Sequence, residues 1–534
     1  MLLAGSGVLA VAAFAELGSP RQLTIRNGGT FRITVWGTNG MDLDPALPSA
    51  QLAPLVEATC ARLMTYPDAT PPPKGFRLKP EVAVEDPKVS PDGKRFTFVL
   101  RSGRRAFRFS NGARVQANAF ERQIVRLLEL KTYGAELIQD IVGADRVENG
   151  RVRGIVARGN RLTIKLRRPV PDLPARLAAP WFCAVPPTLQ ADPEGVTEFD
   201  AAGPYYVKDN VRGRRIVLRR NRFYRGSRPH HVDGFVVDGQ AASLDAVIDR
   251  VDQGVADWGW APPGLYFRPE RRLVARFGVN KSRFFLQRGL VFNHYNLNTS
   301  RELFRDNARL RRAVNFAINR RAVQAAGTGR FGGGLTDQYL PAGLPGFRDE
   351  HIYPLKHSNF RMARKLAKGH TRSGKAILYT PDLPSFVAAA QVIKQNLARI
   401  GLVVEFKKFP SVPIYLAHMR NEAEPWDIGW SSWGPDYLDP STYLNSLLDG
   451  QFTNTNNWPH FDSRAYNRLL RRAAQLRGEA RYREYARLDA KLAREAAPMV
   501  AISFSKEPTF VSKRVDPRCI VLRPELDLTA VCLK

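Results

Sequence analysis

The chain has 534 residues, of which 44% are hydrophobic and 25% charged. The length suffices for two or three domains or one large two-lobed body, and the composition is ordinary for a globular protein. Its 81 basic and 50 acidic residues give a formal net charge of +31. The basic residues are scattered, and no zinc-finger or ribonucleoprotein motif is present, which argues against a nucleic-acid-binding protein. Two explanations of the charge are favoured instead: basic surface drift, or attraction to an anionic cell envelope.

The N-terminal segment, residues 2–17, is almost entirely apolar or small and contains an A-x-A pattern at Ala13 and Ala15. This pattern predicts a signal peptide over residues 1–15. No positive region precedes it, so a truncated start and an uncleaved N-terminal anchor remain alternatives. We therefore expect an exported, extracytoplasmic protein.

The four cysteines have no CxxC spacing, which argues against a metal or redox motif. An even number of cysteines fits an oxidising compartment. We expect a disulfide between Cys519 and Cys532, whose short loop would contribute on the order of 3 kcal/mol in the chain-entropy model. For Cys60 and Cys183, a disulfide and two buried thiols remain equally open.

The first half of the chain is rich in predicted strands. Alternating apolar residues and turn residues define the strands, and Phe120 and Ile124 share one face of a predicted helix. The predicted elements are strands at 30–36, 95–101, 162–166, 205–207 and 215–219, and helices at 117–130 and 244–255.

The second half alternates predicted helices and strands. Residues 376–406 form a β-α-β unit, which predicts parallel strands. Residues 358–368 predict a helix with Ser358 as its N-cap and Gly369 as its stop. The other predicted elements are strands at 289–298, 426–433 and 499–504, a helix at 307–326, and a helical pair at 463–497 broken near Gly478.

Residues 426–447 carry the strongest local indication of a site. Trp426, Trp430 and Trp433 are followed by a Gly-Pro turn and then by Asp436 and Asp439. Loops at the carboxyl ends of parallel strands commonly line ligand sites. The stretch predicts a strand end and a cleft-lining loop, whereas the alternative is an aromatic core strand with a solvated turn.

No catalytic motif supports an enzyme. The sequence has no G-x-S-x-G elbow, no HExxH, no P-loop and no G-x-G-x-x-G after a strand. Asp42 and Asp44, or Asp436 and Asp439, could form carboxylate pairs, but no nucleophile or metal-ligand set accompanies them. We therefore expect no enzymatic activity, no cofactor and no bound metal.

Several segments in series carry a family resemblance. They are GGTFRITVWGTNGMDLDPAL at 28–47, SPDGKRFTFVLRSG at 90–103, AAGPYYVKDNVRGRRIVLRRNRFYRG at 201–226, NARLRRAVNFAINRRAV at 307–323 and WSSWGPDYLDPSTYL at 430–444. In this order they resemble the family 5 extracytoplasmic solute-binding proteins, the dipeptide and oligopeptide receptors of ABC importers. Asn118 and Asn319 stand where the family usually has Asp.

The resemblance implies an α/β, two-lobed periplasmic-binding-protein (type II-like) fold with a ligand cleft between the lobes. Lobe one would cover 25–284, with an extra strand-rich subdomain at about 50–178. Lobe two would cover 285–498, and 499–534 would return to lobe one. The lobes would close on the ligand by a hinge motion.

The resemblance also assigns candidate ligand-binding residues. Asp436 would pair with the amino group of a peptide. Trp433 and Gly434 would contact the ligand main chain, as would Trp36, Gly37 and Thr38 on the opposite lobe. Independently of the resemblance, we expect the nearby aromatic Tyr437 to exclude water from this bond.

The implied partners are a small peptide or similar cationic or zwitterionic solute and the ABC permease and ATPase subunits. The protein would be a monomer that meets the membrane through the permease or an uncleaved anchor, with no nucleic acid. The alternative is a non-transport protein of the same fold whose basic surface binds nucleic acid, an anionic envelope or a signalling partner.

Overall fold

The computed structural model describes residues 25–36, 43–47, 53–66, 74–260, 267–329, 331–453, 455–522 and 526–534. Its strands are β1 (Thr30–Trp36), β2 (Met64–Thr65), β3 (Lys79–Pro80), β4 (Lys88–Val89), β5 (Arg95–Val99), β6 (Ile155–Arg158), β7 (Arg161–Lys165), β8 (Tyr205–Val211), β9 (Arg215–Arg220), β10 (Gly234–Ala241), β11 (Trp258–Trp260), β12 (Phe284–Leu297), β13 (Gly333–Leu335), β14 (Lys375–Pro381), β15 (Val403–Phe409), β16 (Ile428–Trp433) and β17 (Met499–Phe510).

Among the described residues, more of the helices lie in the second half of the chain than in the first. They are α1 (Ala53–Thr59), α2 (Ala117–Glu129), α3 (Tyr133–Glu136), α4 (Leu173–Arg176), α5 (Leu244–Asp252), α6 (Phe267–Phe277), α7 (Ala308–Ala317), α8 (Arg320–Gly327), α9 (Phe360–Ala367), α10 (Pro384–Ala398), α11 (Val412–Arg420), α12 (Ser441–Leu448), α13 (Arg464–Gln475) and α14 (Gly478–Lys491). The chain is therefore α/β, as predicted.

The first sheet has five strands in the order β11-β1-β10-β9-β8. Its strand β1 is parallel to both β10 and β11. The alternating sequence of β1 buries Phe31, Ile33 and Val35 in one apolar core. This core also contains Cys60 and Cys183.

The second sheet has six strands in the order β13-β17-β12-β16-β14-β15. Strand β14 is parallel to β15 and to β16, and α10 connects β14 to β15. The predicted β-α-β unit and the predicted strand after it are thus confirmed. The carboxyl ends of β14, β15 and β16 point toward one edge, at which the loop after Trp433 begins.

The two sheets are joined by long strands. β12 and β17 pair antiparallel along the second sheet, and Val511, directly after β17, bridges to Trp258 of the first sheet. The predicted strand at 499–504 therefore extends to Phe510, because its outer half continues to pair with β12. The lobe boundaries named above stay predictions.

A separate strand-rich unit lies between Cys60 and Cys183. Its antiparallel sheet has the order β4-β5-β7-β6 and packs with α2 around an apolar core of its own. A disulfide joins Cys60 to Cys183, so the alternative of two thiols is wrong. The Cys519–Cys532 disulfide is confirmed.

Asp44, one of the carboxylates considered for acid-base chemistry, has a structural role. It forms a fully buried ion pair with Arg126 of α2, with 2.6 Å between Oδ2 and Nη2. It also accepts hydrogen bonds from the backbone N–H groups of Ala46 and Val196. These contacts fasten the strand-rich unit to the turn after β1.

Two helix predictions are wrong in detail. The helix predicted at 307–326 is divided into α7 and α8, because Ile318 is extended and the Asn319 side chain caps α8 at Ala322 N. The predicted Ser358 N-cap is Asn359, whose side chain accepts from Met362 N. Gly369 follows α9 with φ 75°, a conformation that favours glycine.

Candidate functional site

The loop 434–440 lies between β16 and α12, at the carboxyl end of a parallel strand. The side chain of Asp439 fixes its shape: Oδ1 accepts from Ser441 N at 2.9 Å, and both oxygens accept from Arg481 at 2.6 and 2.9 Å. Both partners are about 95% buried. Asp439 therefore braces the turn, and its carboxylate is paired with Arg481 inside the protein.

Asp436 occupies a different environment in the same loop. Its side chain is half-buried, and Oδ1 accepts a hydrogen bond of 2.7 Å from the hydroxyl of Tyr133 in α3. Within the described residues, Oδ2 accepts no hydrogen bond from the protein. One carboxylate oxygen of Asp436 is thus held by the strand-rich unit while the other is available to a solute.

The pKa of Asp436 reflects this position. Burial raises the pKa of its carboxyl above the usual value. The Tyr133 hydrogen bond opposes this effect, the nearby Glu136 carboxylate adds to it, and Arg176 opposes it. Burial also raises the pKa of Tyr133 far above its usual range, so its hydroxyl remains the donor.

Aromatic and acidic side chains face Asp436 from the strand-rich unit. The rings of Tyr133 and Trp181 lie 5.7 Å apart, and Gly134 permits this packing because a Cβ there would lie 2.9 Å from Trp181. Glu136, one turn along α3, is exposed. Aromatic faces and carboxylates together attract cations, so this wall suits a positively charged group.

Tyr437 points its hydroxyl at the strand-rich unit. It donates to Asp172 Oδ2 at 2.6 Å, and the guanidinium of Arg176 lies 5.6 Å from the centre of its ring. Burial would raise the pKa of Asp172, but Arg176 and Arg481 hold it well below its usual range. The Tyr437 hydroxyl is therefore committed to an ionised carboxylate, and its ring is the part that could contact a ligand.

Trp433 and Gly434 come directly before Asp436. Trp433 is half-buried, and its Nε1 donates to Thr442 O at 2.7 Å, which fixes the indole against α12. Gly434 is exposed, and the nearest atom to a Cβ there is a Val291 carbon at 3.8 Å. The backbone of Gly434 is therefore accessible to a ligand main chain.

Of the residues predicted to face Asp436 from the opposite lobe, only Trp36 is described. This residue ends β1, pairs with Ala241 and is 36% exposed. Gly37 and Thr38 lie outside the described residues. The roles of Trp36, Gly37 and Thr38 in binding stay predictions.

Sequence reasoning missed the residues that face the loop from the strand-rich unit. Tyr133 and Asp436 are 303 positions apart, and Asp172 and Tyr437 are 265 apart. Asp172 and Arg176 have the i,i+4 spacing of a helical ion pair, and this spacing was the one local sequence signal that could have pointed to them. Nothing local indicated that this pair meets Tyr437.

The described residues contain neither a cluster of metal-ligating side chains nor a membrane-spanning helix. Among them, no group of three or more His, Cys, Asp or Glu side chains is arranged to hold a metal ion. No helix in these ranges combines the length and the apolar character needed to cross a bilayer.

Comparison with known proteins places these features in a family. The sequence model described as "Bacterial extracellular solute-binding proteins, family 5 Middle" matches residues 77–455. The probable D,D-dipeptide-binding periplasmic protein DdpA of Escherichia coli K12 is 23% identical over 401 residues, covering 72% of this chain and 71% of that protein. The oligopeptide-binding protein AmiA of Streptococcus pneumoniae is 22% identical over 533 residues, covering 82% and 79%.

Solved structures show the same fold. The clavulanic acid biosynthesis oligopeptide binding protein 2 superposes with a TM-score of 0.83 at 22% identity, over 95% of this chain and 96% of that one. The periplasmic binding protein DppA of Helicobacter pylori, in complex with the peptide STSA, gives 0.67 at 18% identity, over 95% and 98%. The chain therefore has the predicted periplasmic-binding-protein fold, and it belongs to the bacterial extracellular solute-binding proteins of family 5.

Proposed function

We propose that this solute-binding protein works outside the cytoplasm, captures a peptide or another solute with a positively charged amino group, and delivers it to an ABC import permease. The observation that carries the proposal is the environment of Asp436. One of its oxygens is held by Tyr133 and the other has no protein partner within the described residues. Two relatives whose names specify dipeptide or oligopeptide binding support the peptide class.

The two aspartates of the loop, Asp436 and Asp439, differ in whether a cation is bonded to them. Asp439 is neutralised by Arg481, whereas Asp436 lies beside an uncharged hydroxyl and the exposed Glu136 carboxylate. A half-buried carboxylate with no cation bonded to it is costly, so a solute ammonium would supply the missing positive charge. Ligand capture and lobe closure would then be coupled, because the charge is satisfied only when the solute is enclosed.

Mass spectrometry of solute released from denatured, purified protein identifies the ligand, and calorimetry then tests Asp436. The variant Asp436→Asn keeps the shape and removes the charge, so it should lower affinity by about 2–5 kcal/mol, as in truncation of a buried charged pair.

Asp427→Asn is the matched control. Asp427 is a buried carboxylate directly before β16, at the other end of the strand that Asp436 follows. It should leave the affinity unchanged. Equal affinity in Asp436→Asn and the unaltered protein would contradict an anchor for an ammonium group.

A further inference from the structure

A stretch of the second half has an unusual charge pattern. Residues 351–381 contain no Asp or Glu, although Glu350 and Asp382 flank them. All of the Lys and Arg side chains in this stretch are exposed. They are Lys356, Arg361, Arg364, Lys365, Lys368, Arg372 and Lys375.

Helix α9 and its C-cap residue, Lys368, concentrate four of these cations on one face. Ala363, Leu366 and Ala367 are buried and fix the helix to the apolar core of the second sheet. The remaining positions turn Arg361, Arg364, Lys365 and Lys368 to solvent. We call these four residues the α9 basic face.

Acidic side chains do not neutralise this face. Some exposed arginines elsewhere have acidic partners, as in Arg272–Asp249 at 3.2 Å and Arg168–Asp140 at 2.6 Å. In the described part of the chain, none of the four cations of the α9 basic face forms an ion pair. Their positive potential therefore reaches solvent at full strength.

The positive surface continues past the first residue of α9, at Arg399, and it ends beyond Lys368, where acidic side chains appear. The Arg399 guanidinium of α10 lies 4.2 Å from the ring centre of Phe360, the first residue of α9. Beyond Lys368, a cavity of about 210 Å³ is lined by both signs of charge, among them Arg372, Lys375, Glu302 and Glu405. Because acidic and basic side chains both line this cavity, it is not part of the positively charged surface.

One apolar side chain lies among the cations. Met362 is 37% exposed on α9, directly after Arg361. A helix face that combines several cations with an exposed apolar side chain matches a lipid interface, where the charges meet headgroups and the apolar chain enters the acyl boundary. A nucleic-acid surface would use the cations but would gain nothing from Met362.

We propose that the α9 basic face binds the anionic phospholipid headgroups of the membrane. The inference rests on the proposed function in one respect: that function places the protein outside the cytoplasm, where the membrane surface is an abundant anionic partner. A helix of eight residues is about 12 Å long, so the four cations act within about one Debye length at 0.1 M salt. Binding should therefore weaken as salt is raised.

Vesicle sedimentation of the full chain tests the proposal. The unaltered protein should bind vesicles containing about one third phosphatidylglycerol, and it should bind pure phosphatidylcholine vesicles at least ten-fold more weakly. The variant Arg361→Gln/Arg364→Gln/Lys365→Gln/Lys368→Gln should lose at least ten-fold in partition to the anionic vesicles.

A second fourfold variant controls for net charge. Arg464, Arg468, Arg472 and Arg483 are also exposed, on α13 and α14, and their change to Gln removes the same charge. This control should retain binding within about three-fold, since the field of a surface charge decays over a Debye length. Equal losses in the two variants would overturn the proposal, because they would show a net-charge effect.

Two other outcomes also overturn it. One is equal binding to neutral and anionic vesicles, or none to either. The other is retention of duplex DNA by the α9 basic face without binding to anionic vesicles, which would assign the face to nucleic acid. Because the assay contains no solute, its failure leaves solute capture through Asp436 untouched, and a failure of the Asp436 test leaves vesicle binding unaffected.

Discussion

The hydroxyl of Tyr133 lies 2.7 Å from the carboxylate of Asp436, although the two residues are 303 positions apart in the chain. Tyr133 belongs to the strand-rich unit and Asp436 to the loop after β16. The hydrogen bond therefore joins two separately built parts of the molecule at the residue proposed to hold the solute.

The pH dependence of binding should report this contact. An ammonium solute needs ionised Asp436, so affinity should be lost as pH falls through its pKa, which burial raises above the usual value. Tyr133→Phe removes a donor that favours the ionised form, so it should move the midpoint of the binding curve to higher pH. Calorimetry of the released solute between pH 4 and pH 8 measures the shift.

Tyr206→Phe, on β8 of the first sheet, serves as the control and should leave the midpoint unchanged. A midpoint that is the same in Tyr133→Phe and in the unaltered protein would contradict the coupling between the two residues.

We expect substitution of Asp439 to reduce the stability of the fold, whereas substitution of Asp436 should reduce the affinity for the solute. Asp439→Asn leaves the buried Arg481 guanidinium without its anion, so the free energy of unfolding should fall by about 3–5 kcal/mol. Urea denaturation measures the loss. Asp249→Asn, which breaks an exposed pair with Arg272, should cost less than about 1 kcal/mol. Similar costs for both would refute the bracing role of Asp439.

The two disulfides should differ in their contribution to stability. Cys60 and Cys183 are 123 positions apart, and Cys519 and Cys532 are 13 apart. In the chain-entropy model the first bridge contributes about 5 kcal/mol and the second about 3 kcal/mol. Replacing each pair by alanine and measuring unfolding at equilibrium should give this ranking, and the reverse ranking would contradict it.

The carboxyl group of Asp489 is fully buried in the second half of the chain, and its protonation should make stability depend on pH. Burial raises the pKa of its carboxyl to about 7, although the backbone N–H of Tyr339 and the Gln338 side chain donate to it. The unfolded pKa is about 3.9. The folded state therefore binds the proton more tightly, so the stability that this group contributes is fully present below about pH 4 and is lost as pH rises through about 7.

In Asp489→Asn this titration is absent. The difference in unfolding free energy between the variant and the unaltered protein should therefore change by on the order of 4 kcal/mol between pH 4 and pH 8. Urea denaturation at each pH measures it. A difference that does not depend on pH would show that Asp489 is ionised throughout.

The parts of the fold that the sequence predicted are those set by local periodicity. The alternation in β1 gave its bounds, Thr30–Trp36, and the β-α-β pattern gave the parallel pair β14 and β15. The break between α7 and α8 was missed although the Asn319 N-cap is a local sign of it. The backbone N–H of Asn319 also donates to Asn396 of α10. No pattern within a window of helix length contains that contact.

For the candidate site, too, the part set by local sequence was predicted and the part set by long-range packing was not. The loop with Asp436 was predicted from a local cluster of aromatic, turn and acidic residues at a strand end. The residues that contact it, Tyr133 and Asp172, were not predicted, because their position depends on how the strand-rich unit packs against the loop.

The disulfide between Cys60 and Cys183 has a consequence for modularity. The two Cα atoms lie 5.1 Å apart, so everything between them leaves and re-enters the first core at one point. A joint of one or two residues spans such a gap, since consecutive Cα atoms are about 3.8 Å apart. The insertion is thus a cassette that carries Tyr133 and Trp181, and exchanging it would replace Tyr133 beside Asp436 while the carboxylate proposed to anchor the solute stayed in place.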